Sequence, residues 1–384
     1  MVVPLSPPPL LSTDDPVSAG PMPRPGVLAI DPYVGGKSKT VFDGQVYKLS
    51  SNESALGASP HAVDAYRSAA DTLALYPDGG ATALREKIAE IHGLDPAHLI
   101  CGAGSDEILQ LLCRGYLTDG DNSVQSAHGF LVYALAAKAC GAEVHFAPET
   151  DLRADVDALL GAVDDRTRLI FLANPNNPTG TWLPAHEIER LHDGLRNDII
   201  LVLDAAYAEY MDDKAYEAGA ALVKAHDNVV MTRTFSKIYG LGALRLGWAY
   251  GPPAIIDALN RIRGPFNVST AAQSAGVAAM GDQAFVRENR AHNTSERAIM
   301  FQRLQGLGLS VVPSAGNFLL VRFPDEVGSR AQEVHAWLME RGVIVRTMDA
   351  YGLTDYLRIS VGPSDANRRV LDLLTEKFPG ESAP

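Results

Sequence analysis

The 384-residue sequence lacks the features of a secreted, membrane-spanning or nucleic-acid-binding protein. Its three cysteines are too few, and odd in number, for a disulfide framework, so we expect free thiols. No apolar run approaches the roughly 20 residues that a membrane-spanning helix needs. Only 33 Lys and Arg stand against 46 Asp and Glu, and a net charge of −13 disfavours a nucleic-acid groove, which requires a basic surface.

The first residues also lack the basic segment and following apolar block of a secretory signal. Together with the expected free thiols, this predicts a cytoplasmic protein. What the N-terminus does contain is proline: residues 1–26 hold eight of the 24 prolines. Because proline fixes φ and removes a backbone donor, we expect an extended arm, and we assign residues 1–50 to an N-terminal arm and linker.

From about residue 60, helical periodicity alternates with short runs of aliphatic and β-branched residues. Five such runs are HLIC (98–101), EVHF (143–146), RLIFL (168–172), IILVLD (199–204) and NVVMT (228–232). Runs that are apolar on both faces and alternate with helices indicate a mostly parallel sheet covered by helices. The fold class predicted is therefore α/β, with a large domain over residues 51–265.

The pattern changes after Gly264-Pro265. A long helical stretch over residues 269–307 is followed by two alternating strands, SAGNFLLVRF and DYLRISVG, with a helix between them. This predicts a smaller α+β domain over residues 266–384.

Polar residues follow the predicted strands directly, where ligands bind in an open parallel sheet. After HLIC, the turn at residues 102–106 opens a helix whose N-terminal N–H groups suit a phosphate. Ser105 or Asp106 as an ordinary helix cap explains the same residues equally well. After RLIFL, the turn NPNNPTG (174–180) either aims Asn177 into a site or is a surface turn.

Two more strands end in charged residues. Asp204 ends IILVLD, and a buried carboxylate is costly unless a cation or protonated nitrogen lies near it; a helix-capping aspartate is the alternative. Tyr207 follows three residues later. Lys237 comes directly after the NVVMT strand and its RTFS extension, so a desolvated lysine that forms a Schiff base is predicted there.

These residues together suit a phosphorylated pyridine aldehyde. Asp204 would hold the pyridinium nitrogen, and Lys237 would bond the aldehyde carbon. Tyr207 and Asn177 would contact the phenolic oxygen. The groups expected around the phosphate share hydroxyl or cationic character; they are Ser105, Ser236 and Arg245. This is the chemistry of pyridoxal 5′-phosphate.

The sequence resembles the fold-type-I aminotransferases, which use this cofactor, and within them the group that acts on histidinol phosphate. The resemblance extends from about Pro25 onward. It is carried by DPYVGGKS (31–38), YPDGGATALREKIA (76–89), GSDEIL (104–109), NPNNPTG (174–180), LDAAYAEY (203–210), RTFSKIYGLGALRLG (233–247), GNFLLVRF (316–323), VIVRTMDAYGL (343–353) and YLRISVG (356–362).

The resemblance implies a role for each matching residue. Lys237 is the catalytic lysine, which bonds the cofactor and then carries protons. Phe130 stacks on the cofactor ring, where many relatives carry tyrosine. Tyr76 reaches the phosphate in the neighbouring subunit, which makes the site composite and the enzyme a homodimer. The other cofactor-binding residues implied are Ser105, Asp106, Asn177, Asp204, Tyr207, Ser236 and Arg245.

The resemblance also implies a substrate site and a reaction. The substrate-binding residues implied are Tyr33, Asn177, Arg346 and Arg358. The reaction implied transfers the amino group of L-histidinol phosphate to 2-oxoglutarate, giving imidazole-acetol phosphate and glutamate in histidine biosynthesis. Two guanidinium groups suit a dianionic phosphate, although Arg346 as a solvated strand end is the plainer interpretation. The alternative function is an aromatic amino-acid aminotransferase that acts on phenylalanine or tyrosine.

Two other classes are disfavoured. A regulator built on the same fold would need a DNA-binding module, which the proline-rich first 26 residues do not resemble. In HEIERLH, His186 and His192 are six positions apart, not the four of a zinc-binding helix, so no metal site is expected.

Overall fold

The computed structural model describes residues 23–32, 35–37, 39–323 and 330–378. Its helices are α1 (Pro25–Leu28), α2 (Pro60–Ser68), α3 (Thr82–His92), α4 (Ser105–Tyr116), α5 (Leu131–Ala139), α6 (Val156–Gly161), α7 (Ala185–Asp193), α8 (Ala220–Ala225), α9 (Pro253–Ile262), α10 (Thr270–Gly281), α11 (Gln283–Gly306), α12 (Arg330–Glu340) and α13 (Ser364–Lys377). Its strands are β1 (Tyr47–Lys48), β2 (Leu99–Gly102), β3 (Asn122–Ser126), β4 (Glu143–Ala147), β5 (Glu149–Thr150), β6 (Arg153–Ala154), β7 (Thr167–Ala173), β8 (Ile200–Asp204), β9 (Val229–Thr234), β10 (Gly247–Tyr250), β11 (Ser310–Val312), β12 (Phe318–Arg322), β13 (Val343–Ile344), β14 (Arg346–Thr347) and β15 (Tyr356–Ser360).

A seven-stranded sheet forms the centre of the molecule, in the order β2-β10-β9-β8-β7-β3-β4. The strands from β9 to β4 pair in parallel, and β10 pairs antiparallel with both of its neighbours. The predicted α/β class with a mostly parallel sheet is confirmed, and all five strands read from the sequence belong to it. The sequence reading missed β3 and β10.

Helix ends follow local chemistry. Gly93 ends α3 with φ at 63°, the left-handed conformation that glycine adopts without a side-chain clash. The single long helix expected over residues 269–307 is instead two helices. Asp282 separates them, because its side chain accepts a hydrogen bond from the backbone N–H of Phe285 and so caps α11.

A second, antiparallel sheet has the order β11-β12-β15-β14. Its apolar side chains, among them Leu319, Val321 and Ile359, pack with residues of α11, α12 and α13 in a core of their own. Strand β1 adds to this half of the molecule by pairing in parallel with β13. The C-terminal part is therefore α+β, as expected.

The division of the chain near residue 265 stays a prediction. Helix α10 follows that point, yet its buried Ala272, Ala275 and Met280 pack in the core of the seven-stranded sheet. In the ranges that the structure describes, no helix has the length and apolar character needed to cross a bilayer.

Candidate active site

A cavity of about 320 Å³ lies at the carboxyl ends of β7, β8 and β9. The last residues of these strands, Ala173, Asp204 and Thr234, line it. Eleven of the thirteen site residues expected from the sequence also line it: Ser105, Asp106, Phe130, Asn177, Asp204, Tyr207, Ser236, Lys237, Arg245, Arg346 and Arg358. Segments more than 200 residues apart in sequence therefore meet at one edge of the sheet.

Asp204 is the buried carboxylate of the site, with 4% of its surface exposed. Its Oδ2 accepts a hydrogen bond from Tyr133 Oη at 2.7 Å, and its Oδ1 accepts one from Thr232 Oγ1 at 3.0 Å. No cationic side chain of the described residues lies within ion-pair distance of it. Burial raises the pKa of Asp204 to about 6, and the two hydroxyl donors oppose that rise.

The sequence reading missed Tyr133 and Thr232. Thr232 lies directly opposite Asp204 in the parallel pairing of β9 with β8. Tyr133 is on α5 and stacks on Phe171, with ring centroids 4.8 Å apart. A buried carboxylate requires hydrogen-bond donors. The sequence therefore predicts that donors surround Asp204, but the tertiary fold decides which residues they are.

Asn52 is a second residue that the sequence reading missed. Its Nδ2 donates a hydrogen bond of 3.0 Å to Tyr207 Oη, and its backbone N–H donates to Ser360 Oγ at 2.8 Å. The Ser360 hydroxyl in turn donates to Asn52 Oδ1 at 3.0 Å. Asn52 therefore connects the tyrosine after β8 to the last residue of β15 in the second sheet. Its φ of 55° is a conformation that asparagine tolerates better than most residues.

The turn before α4 is shaped for close approach to a ligand. Gly104 has φ at 83°. A Cβ added to Gly247, on neighbouring β10, would lie 2.2 Å from the backbone nitrogen of Ser105. Arg245 reaches the same turn, where its Nη2 donates to Asp106 Oδ2 at 2.9 Å. The N–H groups of a helix N-terminus beside a guanidinium form a typical anion-binding arrangement.

Lys237 lies on the floor of the cavity and is half-buried. Its Nζ donates a hydrogen bond to the backbone oxygen of Ser51 at 3.4 Å and lies 5.8 Å from the centre of the Tyr207 ring. Phe130 forms another part of the wall, with its ring edge-on to Tyr133 at 5.7 Å. The amine thus lies near the aromatic ring of Tyr207.

Arg346 and Arg358 line the same cavity and are directly opposite each other on antiparallel β14 and β15. The Nη2 of Arg358 donates to Ser50 O at 2.9 Å, and its Nη1 donates to Asn177 Oδ1. The Asn177 side chain is therefore oriented by the arginine. Paired guanidinium groups on one sheet face define an anion subsite.

Two expected site residues are not in this cavity. Tyr76 is 82% exposed and stacks on Phe266, with ring centroids 4.8 Å apart. It cannot serve the site of its own chain in this position, so its expected role in a neighbouring subunit stays a prediction. Tyr33 lies outside the described residues, as do residues 1–22 of the N-terminal arm.

The chemistry available in the cavity follows from these groups. It combines an amine, a buried carboxylate whose pKa is about 6, and two anion subsites, one at the α4 turn and one at the paired arginines. Across residues 23–32, 35–37, 39–323 and 330–378, no cluster of His, Cys, Asp and Glu could hold a metal ion.

Comparison with known proteins identifies the family. The family model for "Aminotransferase class I and II" matches residues 44–374. Histidinol-phosphate aminotransferase of Rhodospirillum rubrum is 54% identical over 94% of this chain and 98% of its own length. Its namesake in Maricaulis maris is also 54% identical, over 92% of this chain and 98% of its own.

Solved structures agree with the sequence comparison. The crystal structure of histidinol-phosphate aminotransferase from Sinorhizobium meliloti in complex with pyridoxal-5′-phosphate superposes with a TM-score of 0.85. The two chains are 30% identical, and the match covers 94% of this chain and 98% of that one. The chain belongs to the class I and II aminotransferases.

Proposed function

We propose that this protein is a pyridoxal 5′-phosphate-dependent aminotransferase that transfers the amino group of L-histidinol phosphate to 2-oxoglutarate. The products are imidazole-acetol phosphate and glutamate, which places the reaction in histidine biosynthesis. The relatives with 54% identity support this substrate, because they carry the name histidinol-phosphate aminotransferase over nearly their full length.

The observation that carries the substrate proposal is the pairing of Arg346 with Arg358. The two residues lie directly opposite each other on antiparallel strands and both line the cavity, so their guanidinium groups supply several donors to one region of it. A dianionic phosphate ester accepts more charge-assisted hydrogen bonds from such a pair than a single carboxylate does. Histidinol phosphate carries such an ester and no carboxylate.

The cavity fits pyridoxal 5′-phosphate. Asp204 is a buried carboxylate without a cationic partner among the described residues, as expected for a group that holds a protonated pyridine nitrogen. The absent Cβ at Gly247 lets β10 pack closely on the backbone at the N-terminus of α4, and Ser105, Asp106, Ser236 and Arg245 line the cavity beside that turn, where they would hold the phosphate. Asn177 and Tyr207 would contact the phenolic oxygen.

When bound, the cofactor supplies an electron sink that stabilises the carbanion left after loss of the substrate Cα proton. The residues of the chain then perform the remaining tasks. Lys237 Nζ takes the proton from the substrate Cα and carries it until it is given up later in the amino-group transfer. Asp204 keeps the ring nitrogen protonated, and Tyr133 and Thr232 keep Asp204 in place.

The remaining residues position the reactants. Phe130 lines the cavity and would pack against the bound cofactor and exclude water from it. Arg346, Arg358 and Tyr33 bind the substrate phosphate, and Arg358 also binds a carboxylate of 2-oxoglutarate in the second half of the reaction. A cytoplasmic homodimer completes the proposal: Tyr76 of each subunit reaches the cofactor phosphate held by the other.

The test compares kcat/KM for histidinol phosphate and for phenylalanine in wild type and in Arg346→Ala. We expect the wild type to prefer histidinol phosphate by at least about a hundredfold, since a buried charge-assisted pair is worth roughly 3 kcal/mol. Arg346→Ala should lower kcat/KM for histidinol phosphate about a hundredfold and change it little for phenylalanine. Equal efficiency on both donors in the wild type would instead favour the aromatic amino-acid aminotransferase.

A further inference from the structure

Three side chains from three elements hold the loop at residues 76–80, which carries Tyr76. Arg263 Nη2 donates to the carbonyl oxygen of Gly79 at 2.6 Å. Gln273 Nε2 donates to that of Asp78 at 2.8 Å, and Arg85 Nε donates to that of Gly80 at 2.8 Å. Three consecutive carbonyl groups are therefore fixed from outside the loop.

One of these three contacts continues to the phosphate-binding turn before α4. Arg263 Nη1 donates to Asn267 Oδ1 at 3.0 Å, and Asn267 Nδ2 donates to Glu107 Oε2 at 2.7 Å. The same carboxylate oxygen accepts the backbone N–H of Ala103 at 2.6 Å. An unbroken series of hydrogen bonds thus links Gly79 to the turn at residues 103–106, and we name Arg263, Asn267 and Glu107 the relay.

The loop presents an aromatic pair to the outside of the molecule. The Tyr76 ring stacks on Phe266 at an interplanar angle of 23°, and the two side chains are 82% and 45% exposed. Phe266 lies between Arg263 and Asn267 in sequence and has φ at 55°, an uncommon conformation for a bulky residue. Two residues of the relay therefore flank, in sequence, the phenylalanine on which the Tyr76 ring stacks.

We propose that the relay of Glu107, Asn267 and Arg263 makes the phosphate-binding turn of one subunit position the Tyr76 loop that completes the phosphate site of the other. The inference rests on the composite site of the proposed function. The relay residues touch neither cofactor nor substrate and are positioning residues. All four hydrogen bonds of the series have an ionised partner, and three of them are 2.7 Å or shorter, so a displacement at either end is transmitted rather than absorbed.

The test uses mixed dimers in which the relay is broken only in trans. One subunit is wild type. The other carries Lys237→Ala together with Arg263→Met, so it cannot be labelled at position 237 but supplies Tyr76 to the wild-type subunit.

Borohydride reduction over a range of pyridoxal 5′-phosphate concentrations, followed by mass spectrometry, gives the concentration that half-labels Lys237 of the wild-type subunit. The matched control replaces Arg263→Met by Arg261→Met, an exposed arginine in the last turn of α9 that pairs only with Asp257 in the described structure.

Breaking the relay in trans should raise the half-labelling concentration about tenfold, the cost of one misplaced hydrogen bond to a phosphate. The control with Arg261→Met should leave it within twofold of the value with Lys237→Ala alone. Asn267→Ala, in place of Arg263→Met, serves as a second break and should have the same effect. Thermal unfolding identifies any variant that does not fold.

The outcomes separate this inference from the proposed function. Tyr76→Phe in the subunit that carries Lys237→Ala should also raise the half-labelling concentration in trans. If it has no effect, the composite site is wrong and the relay inference is overturned with it. If Tyr76→Phe acts in trans but neither relay variant does, the relay alone is overturned, and the proposed transamination still stands.

Discussion

Tyr133 donates a hydrogen bond of 2.7 Å from its Oη to Oδ2 of Asp204, and both side chains are buried. The contact joins α5, which begins directly after Phe130, to the end of β8. Burial raises the pKa of the carboxyl, and this donor opposes the rise. The state of charge at the end of β8 therefore depends on a helix about 70 residues earlier in the chain.

Asp204→Asn should change how the stability of the cofactor-free protein depends on pH. The pKa of Asp204 is about 6 in the folded protein against an ordinary 3.8, so the folded state binds more protons between these values and loses stability as pH rises through the window. Between pH 5 and 7, wild type should lose about 1 kcal/mol more than Asp204→Asn. Urea unfolding at a series of pH values measures the free energy of unfolding of both proteins. Parallel curves of this free energy against pH would refute the prediction.

Tyr133→Phe should extend to higher pH the range over which ionisation of Asp204 lowers the stability of the protein. Removing the donor raises the pKa of Asp204 further, by about one unit for one hydrogen bond to a carboxylate. The pH-dependent loss of stability should then continue above pH 7, where wild type has levelled off. Thr232→Val removes the other donor and should shift this pH range in the same direction. A loss that is complete by pH 7 in both variants would show that burial alone sets this pKa.

Asn52→Ala should destabilise the protein by about 3 kcal/mol. The substitution removes the side-chain amide that donates to Tyr207 Oη and accepts from Ser360 Oγ, which costs about 1–3 kcal/mol, and places alanine at a φ of 55°, which costs about 1 kcal/mol more. Asn52→Gly removes the same hydrogen bonds but tolerates the backbone, so it should recover about 1 kcal/mol. Urea unfolding of the three proteins checks both numbers, and equal stability of the two variants would exclude the backbone contribution.

Gly247→Ala should abolish tight binding of pyridoxal 5′-phosphate while the protein still folds. The added Cβ would lie 2.2 Å from the Ser105 nitrogen, so the first turn of α4 must move away from the phosphate. We expect affinity to fall at least about a hundredfold in equilibrium dialysis, because several N–H contacts to one dianion are lost together. Gly251→Ala is the matched control, since its Cβ would lie 3.3 Å from the Val230 side chain. Unchanged affinity in Gly247→Ala would place the phosphate elsewhere.

The sequence predicted the strands that are apolar on both faces, because burial in a parallel sheet leaves an unmistakable run of such residues. It missed β3, whose sequence NSVQS is polar although the strand is buried. Thr167 Oγ1 donates to Asn122 Oδ1 at 2.7 Å, and Asn122 Nδ2 donates to Asp164 Oδ1 at 2.7 Å, so the first residue of this buried strand has its polar groups satisfied. It also missed β10, since a short strand next to a glycine-rich turn has no periodicity to detect.

The residues of the candidate site were likewise predictable from the sequence only in part. Asp204 ends β8 and Lys237 comes three residues after β9, so their convergence was predictable from the rule that ligands bind at the carboxyl ends of strands. Asn52 and Tyr133 were not predictable, because neither follows a strand of the central sheet, and each reaches the site through contacts more than 70 residues distant in the chain. The break at Asp282 was missed because helical periodicity continues on both sides of a single capping residue.

We infer that Lys237 is the residue that bonds the cofactor, and labelling of the protein tests this assignment directly. The protein is incubated with stoichiometric pyridoxal 5′-phosphate, reduced with borohydride, digested and analysed by mass spectrometry, with Lys237→Ala treated in parallel. We predict one pyridoxyl-labelled peptide in wild type, modified at Lys237, and no label in the variant. A label on any other lysine, or its persistence in Lys237→Ala, would contradict the assignment.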